Sequence, residues 1–150
     1  MTVDFSIKNA PKYRVATVEW SGKWSDTSIR SHFERLERST KDEGLKTGKW
    51  IFRELSDNRF EACIEVKGDA KSNDKFRIRT LPSVPVASVA FDPDEVSPRV
   101  VYHGLNDWTR WRKKDGEIKG VRQAREVYGG NPWKDKSAWA RTEVQFVVRK

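Results

Sequence analysis

The chain has 150 residues and a formal charge of +8, from 30 Lys and Arg against 22 Asp and Glu. That length fits a single domain spanning residues 1–150, or two closely paired halves, with a core that needs no covalent staples. The lone Cys63 excludes an internal disulfide, and the absence of any long apolar run excludes a membrane-spanning helix.

The first twelve residues contain no apolar signal-peptide core. Together with cysteine usage this gives the expectation of a cytoplasmic protein. A basic balance favours anionic partners. Here, however, charges of both signs are interspersed, and a solvated surface is the favoured reading. The dense basic tract is Arg110, Arg112, Lys113 and Lys114, at an expected helix end where cations meet the negative pole of the dipole.

Residues 14–20 alternate and are rich in valine, which predicts a strand that Gly22 breaks. Ser25 is a candidate N-cap for a helix carrying Ile29, Phe33 and Leu36 on one face, ended by Gly44. Residues 49–55 and Arg59–Val66 read as a hairpin turning at Ser56-Asp57-Asn58. A polar linker over 68–74 leads to a strand over 76–81, which either extends the first half or bridges the two. Pro85–Phe91 is a further strand. Ser97-Pro98 then caps and opens a helix through Val101, Leu105 and Trp108 to about Lys114, stopped by Asp115-Gly116. Gly120–Tyr128 reads as a strand, 129–139 as a loop and 141–149 as the last strand.

Much of this order is said twice. Val15-Ala16-Thr17-Val18-Glu19-Trp20 returns as Val86-Ala87-Ser88-Val89-Ala90-Phe91, displaced by 71 positions. Gly48, Arg53, Glu54 and Leu55 return as Gly120, Arg125, Glu126 and Val127, displaced by 72; Glu61, Ile64 and Val66 return as Glu143, Phe146 and Val148, displaced by 82. Internal repeats over about 12–67 and 84–149 follow. The fold class expected is α+β: duplicated β-α-β-β half-domains forming an antiparallel sheet, with two helices on one face and a ligand-binding cleft between the halves.

Strand alternation assigns faces. Val144, Phe146 and Val148 should meet a helix, and Glu143, Gln145 and Val147 should point away. Likewise Ala62, Ile64 and Val66 oppose Glu61, Cys63 and Glu65, and Arg122, Ala124, Glu126 and Tyr128 share one face, with Glu126 and Tyr128 grouped with Glu143 as candidate ligand-binding residues. Trp50, Phe52 and Glu54 share a face, two aromatic rings beside a carboxylate, and read as a binding wall for a flat or cationic ligand. The last loop is ten residues longer than its counterpart and holds Trp133 and Trp139, candidates for a pocket rim or lid. Glu61 and Glu143 are equivalent in the repeat and could face one cleft. Ordinary pairing with Arg53 and Arg125 is the competing reading, favoured for Glu61 but not for Glu143.

Arg125-Glu126-Val127-Tyr128 with Asn131-Pro132 behind it, Thr142-Glu143-Val144, residues 5–20 and Cys63-Ile64-Glu65-Val66 together resemble the GyrI-like small-molecule-binding domains. These are related to effector-binding domains of AraC- and MerR-type regulators. The resemblance spans about 4–150. It implies a cleft that binds hydrophobic, aromatic or cationic compounds, a charge at Glu143, and aromatic walls from Tyr128, Trp50 and Trp133. The turn before the second helix, Asp92-Pro93-Asp94, departs from the Gly-Pro-Tyr-like family pattern.

No helix-turn-helix pattern accompanies the domain, so a stand-alone ligand binder is expected. No phosphate loop, dinucleotide fingerprint or zinc spacing is present, and no cofactor or metal is expected. His32 and His103 are isolated on helices. The reading favours a binding domain over an enzyme. Were it an enzyme, the resemblance implies a hydrolase of cyclopropane-bearing DNA-alkylating compounds, with Glu143 activating water. A third class, contact with a topoisomerase or nucleic acid, is motivated by the basic tract alone, and no membrane partner is expected.

Overall fold

The computed structural model describes residues 3–150; Met1 and Thr2, which open the stretch read for a leader, lie outside the described residues. The elements are β1 (Ser6–Asn9), β2 (Tyr13–Ser21), α1 (Asp26–Asp42), β3 (Thr47–Ser56), β4 (Arg59–Val66), β5 (Arg77–Leu81), β6 (Pro85–Phe91), α2 (Pro98–Lys114), β7 (Gly120–Tyr128), α3 (Lys136–Ala140) and β8 (Thr142–Arg149). The class is α+β, as expected. No described helix is long and apolar enough to cross a membrane. The chain divides into two compact units, Lys12–Pro82 and the segment up to Pro11 joined by Ser83–Lys150.

In the unit Lys12–Pro82 the strands run antiparallel in the order β3-β4-β2-β5. Helix α1 starts where Ser25 Oγ accepts the backbone N–H of Ser28 at 3.3 Å, satisfying a donor with no partner inside the helix. Its buried stripe is Ile29, Phe33 and Leu36, and the Phe33 ring stacks on Trp50 of β3 with centroids 5.1 Å apart. Gly44 ends the helix at φ 69°, a conformation glycine adopts without penalty. Asn58 turns the β3–β4 hairpin at φ 61°.

In the other unit the order is β1-β6-β8-β7, again antiparallel. Val101 and Leu105 of α2 pack on Ala87, Val89, Phe91, Val144, Phe146 and Val148. Ser97 stands at the N-cap of α2, but its side chain caps no N–H; Pro98 has already removed one of the donors to be satisfied.

Two elements escaped the sequence reading. Strand β1 carries one apolar residue, Ile7, too few to show an alternation. Helix α3 is five residues long and buries only Ala138, so it has no helical period. Its N-cap Asp135 accepts from the Ser137 hydroxyl at 2.8 Å and the Ser137 N–H at 2.9 Å. Those bonds hold its carboxyl below the usual range, so the cap is present at neutral pH and lost as acid protonates it.

Strand pairing can be set against the displacements read from sequence. Ala16↔Ile64 and Glu19↔Glu61 correspond to Ala87↔Phe146 and Ala90↔Glu143, under the displacements of 71 and 82 read from sequence. The strand expected over 76–81 is β5, and it extends the first half by pairing with β2. Its pair Arg77↔Thr17 matches Ser6↔Ser88 with both members displaced by 71. Strand β1 thus pairs with β6 as β5 pairs with β2.

The middle block needs correction. Ile51 pairs with Cys63, and Arg125 with Gln145, the counterpart of Cys63, so β3 maps onto β7 with a displacement of 74, not 72. Phe52 therefore corresponds to Glu126, and Glu54 to Tyr128. A two-residue slip preserves which side chains share a face, so alternation could not detect it.

Leu105 is fully buried, and Leu105→Ala should cost about 2–5 kcal/mol in urea unfolding. Val100→Ala, at a position 63% exposed, should change stability by less than about 0.5 kcal/mol. Similar losses for both would contradict the assignment of helix faces.

Candidate functional site

Glu126 lies in β7 directly opposite Val144, so it shares the sheet face that carries Val144 and Phe146 into the core beneath α2. A carboxylate on an apolar face needs hydrogen-bond partners. Two phenols supply them. The Tyr102 hydroxyl, from α2, donates to Oε1 at 2.7 Å, and the Tyr128 hydroxyl donates to Oε2 at 2.6 Å. The Tyr102 ring tilts against Phe146 at 6.0 Å between centroids. All three polar residues are half-buried. Among the described residues, no Lys or Arg lies within ion-pair distance of Glu126. The result is a negative group fixed by neutral donors and edged by aromatic rings.

Glu143 belongs to the opposite face. It stands across from Val127 and is met by Lys8 Nζ at 3.1 Å. The Gln145 amide donates to Glu143, and Gln145 Oε1 accepts from Arg125 Nε at 2.7 Å. Gln145 and Arg125 are buried. Glu143 and the pair Glu126–Tyr128, grouped together in the sequence reading, are therefore separated by the thickness of the sheet.

Glu61, the counterpart of Glu143, is fully buried. It accepts from Thr17 Oγ1 at 2.6 Å and from Arg79 Nη1 at 3.1 Å, and it pairs with Arg53. The Arg53 pairing favoured for Glu61 is present. The Arg125 side chain instead meets Gln145. The two-residue slip explains the difference, because it sets Arg125 opposite Gln145 while Arg53 sits opposite Glu61. Cys63 lies beside this network in sequence, and burial first, then the Glu61 charge, pushes its thiol well above the usual range.

Trp50 and Phe52, expected in a binding wall, are core residues, 3% and 7% exposed. Trp50 stacks on Phe33, and Phe52 packs against Phe60 and Trp20. The face they share with Glu54 is the one α1 covers. In the long loop, the Trp139 indole N–H donates to Asp94 Oδ1 at 3.0 Å, tying α3 to the turn before α2. Trp133 is 37% exposed, its backbone N–H bound to Asn131 Oδ1. Sequence reasoning missed Tyr102. It sits one position from Val101 on the flank of the apolar stripe, and its role depends on where α2 crosses β7. Among the described residues no cluster of His, Cys, Asp and Glu could hold a metal ion.

The family described as GyrI-like small molecule binding domain matches residues 4–149. No curated protein matches the sequence significantly. Among solved structures, the crystal structure of the EcmrR C-terminal domain is 19% identical, with a TM-score of 0.75, covering 100% of this chain and 99% of that one. EcmrR in its DNA complex is 18% identical, with a TM-score of 0.76; the match covers 99% of this chain and 58% of the EcmrR chain, so this chain spans little more than half of it. SAV2435 bound to tetraphenylphosphonium is 11% identical, with a TM-score of 0.57, covering 97% and 94%.

Two measurements check the buried network. Glu61→Gln should destabilise the protein by about 3–5 kcal/mol in denaturant, because two guanidinium groups lose the charge they were built around. A loss below about 1 kcal/mol would contradict that placement. Separately, the Cys63 thiol should resist a disulfide-exchange reagent in the native protein at mildly alkaline pH and react fully once urea unfolds the chain. Rapid native labelling would contradict its burial.

Proposed function

The chain belongs to the GyrI-like small-molecule-binding domain family, and from that premise we propose that it binds a flat, hydrophobic, cationic compound at Glu126, with Tyr102 and Tyr128 as aromatic walls. The observation that carries this reading is the half-buried carboxylate held by two phenols and met by no cation among the described residues. A carboxylate in that state attracts a positive ligand without an existing ion pair to break. The phenol rings add a face on which a delocalised cation can rest. Their hydrogen bonds fix the carboxylate in advance, so little ordering cost is left for binding. That SAV2435 was solved with tetraphenylphosphonium supports the ligand class. Glu143 fits the role less well, since Lys8 already neutralises it. We place this activity in the cytoplasm and read it as binding without turnover, with the compound recovered unchanged.

Tetraphenylphosphonium titrated by calorimetry is the direct test. Glu126→Gln should weaken binding about tenfold, which is about 1.4 kcal/mol. Glu143→Gln should leave affinity within about twofold, since its charge is already answered. The reverse ranking would move the site to the opposite face of the sheet and overturn the proposal.

A further inference from the structure

A recess lies wholly within the unit Lys12–Pro82, with a volume of about 310 Å³. It opens on the sheet face turned away from α1, because Thr17, Glu19 and Glu61 alternate with the residues that α1 covers. The polar linker 68–76 closes over it with Asn73, Asp74, Lys75 and Phe76, and Arg77 and Arg79 of β5 complete its lining.

Two of the three acids in its lining are already answered by arginines. Glu61 is shared by Arg53 and Arg79, which leaves one positive charge on that trio. Glu19 is answered by Arg59 at 3.6 Å. Lys75 and Arg77 add two more positive charges, and among the described residues neither side chain has an ion-pair partner. Asp74 subtracts one. Three acids and three bases line the recess, and counted with Arg53 and Arg59, which stand behind that lining, the region carries a net of two positive charges, in a protein whose other candidate site is negative.

The linker also holds its shape without a ligand. Asn73 Oδ1 accepts the backbone N–H groups of Lys75 and Phe76 at 2.8 and 3.0 Å. Ser72 Oγ accepts from Ile78 N at 2.8 Å, and Arg14 donates to the Ala70 carbonyl at 2.6 Å. Lys75 and Arg77 are thus presented from a braced backbone. Buried Glu61 holds one edge of the Arg79 guanidinium, whose fork offers five N–H donors, so most of them remain available to a guest.

We propose that this recess is a binding site for a small oxyanion of the phosphate class, held by Lys75, Arg77 and Arg79, with Glu61 as the positioning residue that presents Arg79. Planar, forked donors around a concave, partly apolar wall suit oxyanion recognition, and the volume leaves room for a small organic body behind the anionic group. The site is independent of the one at Glu126 and uses the opposite sign of ligand charge.

The test is a titration of inorganic phosphate into the full chain at constant ionic strength, read by backbone amide NMR. Saturable shifts are expected at Asn73, Lys75, Phe76, Arg77 and Thr17. The double variant Lys75→Gln/Arg77→Gln changes exposed side chains only, so it should keep its thermal midpoint and lose phosphate affinity at least tenfold. Shifts that rise linearly without saturating would overturn the site, as would unchanged affinity in the double variant. Saturation of the same amides by tetraphenylphosphonium would also overturn it, by showing a cation site instead.

Discussion

The packing of one apolar helix stripe onto one strand face decides where the charged groups of each covered strand can go. In one unit Val101 and Leu105 cover Val144, Phe146 and Val148; in the other Phe33 covers Trp50. Once those contacts form, pleat parity sorts the remaining residues of each strand. Glu126 and Tyr128 fall on the covered face, and Glu143, Gln145 and Arg125 on the uncovered one. A shift of one residue would exchange the two sets, which makes the arrangement cooperative with the core itself.

The two units then differ in what each carboxylate is given. Glu61 receives Thr17, Arg53 and Arg79 and is sealed from water. Glu143 receives Lys8 and Gln145 and keeps 20% of its side chain exposed. Glu126 has Phe52 as its counterpart and receives phenols rather than cations. A hydrogen bond to a charged group contributes about 1.5–3 kcal/mol, enough for two phenols to hold a carboxylate at the margin of an apolar core. That margin is where the proposed cationic ligand would approach it.

Most of the fold could be read from sequence, for reasons that follow from burial. The limits Pro85–Phe91 and Gly120–Tyr128 match residue for residue, because Val86, Ala87, Val89 and Phe91 are all buried in the first and Gly129-Gly130 closes the second. The caps at Ser25, Gly44 and Gly116 could be read for the same kind of reason: each residue type answers a local backbone need. Strand β1 and helix α3 could not, since neither is long enough to repeat a pattern. The site was less readable. Parity placed Glu126 beside Tyr128 and Trp50 beside Phe52 correctly, but it carries no sign that says which face a helix will cover. The indoles of Trp50 and Phe52's ring went to the core for that reason. Tyr102 entered only through the crossing of α2 over β7, and Arg79 only through the pairing of β5 with β2.

The ligand is proposed to meet Glu126 on the face shared with Tyr102 and Tyr128. The chain has three tyrosines, and the third, Tyr13, belongs to the other unit. Tyrosine ring NMR during titration with tetraphenylphosphonium therefore tests the claim most directly. Saturable shifts are expected at Tyr102 and Tyr128, with Tyr13 unchanged. Saturation that leaves both of those rings unmoved would contradict it.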